Sequence, residues 1–338
     1  MRIHVVGAQE TNAPWAFELR IIRALQAIGH NIISTDFRQD RSNLPDKLRS
    51  THADHLLVFK GDWVPASAIE TVSCRKTLWY AEYVGRVSDL DLPAFRNREV
   101  LRYNCRAFDQ VLIHDPSSIA VCRRLGAREV HWLSCVMVDT VGFSRLDVPK
   151  KFDVLFIGSP TPRRKRIIAE LAAHYDVHWL TVWSPEALNE VFNQARIILN
   201  IHSSAVPNIE TRIGEVLASG AFLLSEELSY PDMFKDGEHL VYWRLGDTVD
   251  LAEKIAYYLC HHQEREKIAA AGYRFARENH STGLRIQQLL RLLRGEVPDS
   301  PQTDSQFPEW NVVQRIKYAT MNFRAHRWAL HHRKLLGL

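Results

Sequence analysis

Short apolar runs alternate with longer amphipathic stretches along most of the chain, and most of the runs stop at a polar residue or a glycine. In the first half these runs predict strands at Ile3–Gly7, Asn31–Phe37, His55–Phe59, Thr77–Tyr80, Gln110–Ile113 and Glu129–Leu133. Between the first two, Phe17, Ile21, Leu25 and Ile28 recur at spacings of four, four and three, which predicts a helix over Ala16–Ile28. Gly29 follows where a helix C-terminus favours glycine. Strands alternating with helices predict a parallel sheet covered on both faces, the α/β class.

The alternation lapses in the polar stretch Val138–Lys151 and resumes at Phe152–Ile157. Further strands are predicted at Val177–Val182, Ile197–Ile201, Ala221–Ser225 and His239–Tyr242, with helices over Thr248–Cys260 and Glu264–Asn279. Beyond Gly295 the run PDSPQTDSQFP predicts an exposed connector, followed by a final helix over Glu309–His332. The expected division is therefore an N-terminal domain over 1–140, a linker over 141–151, a C-terminal domain over 152–295, and a connector with a basic helix over 296–338. A length of 338 residues suits two such domains. Ligands of open α/β sheets sit at the C-terminal ends of the strands, so two joined sheets predict a cleft site.

Composition narrows the classes. A hydrophobic share of 46% with 24% charged residues is that of a core-forming protein. The net charge of +4 gives no reason to expect a nucleic-acid partner. Charge is uneven, however: Arg315, Lys317, Arg324, Arg327, Arg333 and Lys334 follow Glu309 without another acid. The apolar residues Val312, Ile316, Ala319, Phe323 and Leu330 fall on one stripe of that final helix. The stripe either packs on the N-terminal domain, the favoured reading, or lies on an anionic membrane. Five scattered cysteines with no C-x-x-C pair read as thiols of a reducing compartment. MRIHVVGAQE has no apolar leader and no run is long enough to span a bilayer, so a cytoplasmic address is expected, peripheral at the inner membrane face if the tail binds lipid.

Residues 195–243 carry the clearest chemistry. A strand ends at Ile201 and enters His202, Ser203 and Ser204; Pro207 and Asn208 then read as a helix start, with Asn208 as N-cap. Arg212 and Glu215, three apart, share one face of that helix, which Gly220 ends. A helix N-terminus attracts phosphate, an arginine can grip it in a fork, and a carboxylate can accept the hydroxyls of a ribose. The same spacing also describes a solvated ion pair. Upstream, Gly158 and Ser159 form the turn after a strand, and Arg163, Arg164, Lys165 and Arg166 follow.

The pattern R-x-x-E-x-x-A-x-G (Arg212, Glu215, Ala218, Gly220), then Phe234, Asp236, Gly237, Glu238 and His239, then Tyr257, Tyr258 and Leu259, resembles the C-terminal domain of group 1-type GT-B glycosyltransferases. It is most similar to the branch of the spore-maturation CgeB-like proteins. The resemblance implies the GT-B fold, two Rossmann-like domains facing across a cleft, with a nucleotide-sugar donor bound by the C-terminal one. It implies Glu215 on the donor ribose, Arg212 and an arginine such as Arg163 or Arg164 on the diphosphate, and Gly158 at the turn beside them. His202, just after the strand Ile197–Ile201, is by position the histidine best placed for the cleft, or else a plain loop histidine. The acceptor it implies is a glycan, a lipid-linked sugar or a small molecule, and no metal cofactor is expected. Retaining members carry two glutamates with seven residues between them; Glu215 matches the second, but the first falls at Pro207.

Glu82 ends the apolar run LWYA on the acceptor side, where a general base is wanted, or else it pairs with Arg86 at the surface. Asp89-Leu90-Asp91 spells a metal-binding D-x-D, but before Pro93 it reads better as a helix start. No G-x-G-x-x-G or P-loop occurs, and the sixteen histidines show no metal-site spacing. The reading is transfer of a sugar from a nucleoside diphosphate to a hydroxyl. Its rivals are a nucleotide-sugar epimerase and a non-catalytic binding or assembly protein.

Overall fold

The computed structural model describes residues 1–7, 17–60, 63–182, 184–296 and 309–336. The connector expected over 298–308 lies outside the described residues. The chain divides into two compact units, Met1–Cys135 with Ile286–Leu338, and Val136–Arg285.

The first unit runs β1 (Arg2–Gly7), α1 (Phe17–Ala27), β2 (Asn31–Asp36), α2 (Leu44–Ser50), β3 (His55–Phe59), α3 (Ala66–Glu70), β4 (Arg75–Tyr80), α4 (Leu92–Asn104), β5 (Gln110–Ile113), α5 (Ile119–Arg124) and β6 (Glu129–Trp132). Its sheet is parallel in the order β2-β1-β3-β4-β5-β6, with Ile3 opposite Ile32 on one side and His55 on the other. Every residue of β3 and β5 is buried, as strands covered on both faces require. The polar members of these strands are paired inside: His4 Nε2 lies 2.8 Å from Thr35 Oγ1, and His55 Nε2 2.7 Å from Thr77 Oγ1.

The second unit runs β7 (Phe152–Ile157), α6 (Pro162–Ala172), β8 (Val177–Leu180), α7 (Pro185–Asn193), β9 (Ala195–Asn200), α8 (Arg212–Ala218), β10 (Leu223–Glu226), β11 (Val241–Trp243), α9 (Thr248–Cys260), α10 (His262–Asn279) and the start of α11 (Thr282–Leu293). Its parallel sheet has the order β11-β10-β9-β7-β8. The polar stretch before β7 is sewn to this unit. Val138 N donates to His280 O at 2.8 Å, Ser144 N and Leu146 N donate to the side-chain oxygens of Asn189 and Asn193, and Phe143 is buried.

The later part of α11 belongs to the first unit, where Gln110 Nε2 donates to Leu292 O at 3.3 Å. The final helix, α12 (Val312–Leu335), begins with a reciprocal cap between Asn311 and Gln314 and packs on α4. It packs by a different face from the stripe expected above. Ala325 and Ala329 are buried, and their small side chains let the backbones approach. Around them Tyr318 meets Phe95 at 5.1 Å between rings, Arg96 lies over the Trp328 ring, and His326 Nδ1 is 3.1 Å from Glu99 Oε2. Val312, Ile316, Phe323 and Leu330 point outward, each more than half exposed. Both faces of α12 carry apolar residues, so periodicity alone selects the wrong one.

Candidate functional site

In the second unit β7, β9 and β10 are neighbours, so their C-terminal ends bring Gly158, His202 and Glu226 to one edge. Arg212 reaches this edge from α8, and its Nη1 donates to the carbonyl of Ile157, the last residue of β7. A Cβ on Gly158 would lie 3.1 Å from Arg212 Nη1 and 2.9 Å from Phe156 Cζ. Glycine at the turn is thus what lets the guanidinium settle there.

The helix carrying Arg212 starts later than the sequence suggests. Residues 203–210 are bends and irregular backbone, Thr211 occupies the N-cap position, and the Asn208 side chain instead accepts from the Ile209 amide at 2.7 Å. Burial of Ile209 draws this segment into the core before a helix can begin. Gly220, at φ +70°, ends α8 as expected. Arg212 and Glu215 are not a solvated surface pair either: Arg212 is half-buried and Glu215 is 8% exposed.

Arg163 and Arg164 open α6, whose N-cap is Thr161, and both turn inward. Arg163 Nη1 donates to Glu226 Oε2 at 2.9 Å and to His202 O at 3.0 Å, and Nη2 bonds Glu226 Oε1. The Glu226 carboxylate, wholly buried, also accepts from the amides of His202 and Gly246, each at 2.8 Å. Arg164 donates through Nε to Ile201 O at 2.9 Å and through Nη1 to Ser159 O at 3.2 Å, with Glu210 Oε1 3.5 Å from Nη2. Burial pulls the Arg164 guanidinium below its usual pKa, against the opposing pull of Glu210. The two arginines therefore tie the strand ends together, Arg164 also holding the Ser159 side of the turn, while Arg212 is the guanidinium against Gly158.

His202 is 1% exposed. Its Nε2 lies 2.8 Å from Glu227 O, and a carbonyl can only accept, so that nitrogen carries a proton. Its Nδ1 makes no hydrogen bond and lies 3.8 Å from Glu210 Oε1. Burial alone would raise the Glu210 carboxyl, but the His202 ring and then the charges of Arg164 and Arg212 hold it down to about 2. Glu210 and Glu226 are the residues that sequence reasoning missed. Glu226 had a signal, an acid directly at the end of an apolar strand. Glu210 was concealed inside the helix expected from Asn208.

In the first unit Glu82 follows β4, and its Oε1 lies 3.1 Å from Lys60 Nζ. Arg86, the partner considered above, pairs with Asp89 instead. Asp89 is buried, accepting from Tyr83 Oη and from the Arg86 amide, and Asp91 caps α4 by accepting from Ala94 N at 3.0 Å. These acids serve the start of a helix. Among the described residues no group of three His, Cys, Asp or Glu side chains is arranged to hold a metal.

Two parallel α/β sheets, the second with a glycine turn, an arginine above it and a buried carboxylate one helical turn on, define the two-domain GT-B architecture. Residues 144–291, most of them in the second unit, match the model of a family described as glycosyl transferase-like. No curated protein matches the chain in sequence. Among solved structures, Anabaena HepE in complex with UDP and glucose has a TM-score of 0.66 at 13% identity, covering 87% of this chain and 100% of that one. Sucrose-phosphate synthase from Thermosynechococcus elongatus has a TM-score of 0.63 at 12% identity, over 87% and 98% of the two chains. An alpha-glucosyltransferase in complex with UDP and DNA gives 0.65 at 9% identity, over 87% and 99%. At such identities the likeness is one of fold.

Proposed function

We propose that the protein is a hexosyltransferase that takes a nucleoside-diphosphate sugar in its second unit and passes the sugar to an acceptor hydroxyl. The observation carrying this reading is the approach of Arg212 to the Gly158 turn inside the segment that matches the glycosyl transferase-like model. A diphosphate at that turn meets the Arg212 guanidinium, which stabilises negative charge as it develops on the leaving group. Glu215, one turn further along α8, accepts from the donor ribose. Arg163 and Arg164 act by holding Glu226 and the loop through His202 in place. Two of these structural relatives, HepE and the alpha-glucosyltransferase, hold UDP, which makes a uridine diphosphate sugar the first donor to test. Glu82, on the acceptor-side sheet, is the carboxylate proposed to take the acceptor proton.

A peripheral contact with an anionic lipid surface belongs to the same reading. The 24-residue α12 has basic residues and no acid, and its apolar outer face is exposed. Among the described residues no helix is long and apolar enough to cross a membrane.

The test is incubation with a panel of nucleotide-sugars, with and without EDTA, for wild type, Arg212→Ala and Glu215→Gln. Release of nucleoside diphosphate that survives EDTA is expected. Glu215→Gln should weaken donor binding roughly tenfold to a hundredfold, and Arg212→Ala should lower kcat as well. An epimerised nucleotide-sugar, or binding with no turnover of any donor, would replace this reading by one of its rivals.

A further inference from the structure

The first unit contains a cavity of about 510 Å³ that the donor chemistry does not use. It opens at the C-terminal ends of β2, β3 and β4, where Phe37, Tyr80 and Glu82 line it, and α12 contributes Trp328, His332 and Leu336. Its volume suits a sugar-sized ligand or somewhat more.

Two features of its wall are chemically specific. The first is aromatic: Trp63 lies 6.0 Å from the Trp328 ring and 5.6 Å from His332, and Trp328 stacks on His332 at 5.1 Å with 14° between planes. Trp63 is 4% exposed and built into the core, so the half-buried Trp328 is the aromatic surface open to the apolar face of a pyranose ring. Trp63 also sits at φ +58°, in the left-handed region that a bulky residue rarely adopts, and Lys60 nearby does the same. The second feature is cationic. Arg38 and Arg41 line the cavity, and Arg41 Nη2 is buried without a hydrogen-bond partner. The acids nearby are already engaged, Asp40 with Lys47 at 2.5 Å and Glu82 with Lys60 at 3.1 Å. A buried guanidinium N–H left without an acceptor is unfavourable, and a carboxylate or phosphate oxygen is what it binds best.

We infer that this cavity binds an anionic sugar, its ring against the half-buried Trp328 and its oxyanion on Arg41, so that the last helix of the chain forms part of the acceptor site. The assignment of this ligand as acceptor rests on the glycosyltransferase reading, while the ligand chemistry rests on the cavity alone. A hydroxyl of such a sugar lies in the same cavity as Glu82.

The test titrates the full-length protein with glucuronate, glucose 6-phosphate and glucose, following tryptophan fluorescence and calorimetry, and with UDP as a separate arm. At least one anionic sugar should bind tenfold or more tightly than glucose, weakening with salt. The sugar that does so tells carboxylate from phosphate. Arg41→Gln should remove that preference. Trp328→Ala, at a half-buried position, should weaken the anionic sugar and glucose alike by tenfold or more, with melting temperatures recorded for both variants. Equal binding of all three sugars, binding of none, or an Arg41→Gln protein that is folded and keeps the preference would overturn the inference. If UDP fails to bind while an anionic sugar does, the donor reading falls and the cavity assignment stands; if UDP binds and no sugar does, the reverse holds.

Discussion

Arg163 and Glu226 form a forked ion pair inside the second unit, Nη1 lying 2.9 Å from Oε2 and Nη2 meeting Oε1, with the carboxylate wholly buried. Removing one partner leaves the other charge buried and uncompensated, at a cost of about 3–5 kcal/mol. Glu226→Ala and Arg163→Ala should each lower the unfolding free energy by that order in urea titrations. The double variant should cost clearly less than the two losses added, because the second deletion removes a charge already orphaned. Additive losses would show that the two side chains act independently.

Gly158→Ala tests the turn without touching a charged group. The new methyl would meet Phe156, which is wholly buried, and the guanidinium at the end of the half-buried Arg212 side chain. Donor binding should weaken about tenfold, roughly 1.4 kcal/mol, while the melting temperature changes by only a few degrees. Calorimetric titration with UDP beside thermal unfolding separates the two effects. Unchanged affinity would mean that Arg212 does not serve the donor from this position.

Acid should weaken the fold in two stages. His4 and His55 are buried, which lowers each from 6.5 to about 4, and burial lowers His280 to about 3. The unfolded chain takes up these protons first, so their contribution is full above pH 6.5 and is lost as pH falls toward the folded values. Glu210, held at about 2 against an ordinary 4.5, adds stability above pH 4.5 that is lost as pH falls through 2. Each of these histidines contributes on the order of 3 kcal/mol. Unfolding free energies measured between pH 7.5 and 4 should fall, and His55→Asn should flatten the slope by about one proton. A slope indifferent to His55 would contradict its burial as a neutral ring.

The outer face of α12 should hold the protein on anionic vesicles. Ile316→Glu with Phe323→Glu replaces two exposed apolar residues that make no core contact, so the melting temperature should barely move. Sedimentation with phosphatidylglycerol vesicles should drop tenfold or more. Arg324→Gln with Arg327→Gln should weaken it by a similar factor, at about 1 kcal/mol per basic residue, and only at low salt. Wild-type protein that stays in the supernatant would end the lipid reading.

Both sheets were legible in the sequence because parallel strands buried on both faces are continuous apolar runs, as in HLLVF and ARIILN. Arg212 and Glu215 were legible because their chemistry is local, three residues apart on one helix. What could not be read depends on distant partners. Arg163 finds its carboxylate 63 residues along the chain, and only the neighbouring of β9 and β10 brings the two together. The start of α8 was misjudged because Pro207 and Asn208 favour a helix locally, while burial of Ile209 and the ties on Glu210 act against it. The packing face of α12 was misjudged because its contact residues include alanines, which leave no apolar signal beside Ile316 and Phe323.

The first unit is assembled from both ends of the chain, with residues 136–285 inserted between its parts. Made from the N-terminus onward, all six strands of its sheet leave the ribosome early, yet α12 and its contacts with α4 come last. The inserted unit is complete in sequence before the unit that interrupts itself to hold it. Until α12 arrives, Phe95, Arg96 and Trp63 lack the partners they have in the finished protein, so the nascent chain exposes an apolar surface for the whole time the inserted unit is being synthesised. A chain truncated before residue 309 should therefore display a finished second unit and a first unit susceptible to protease around α4.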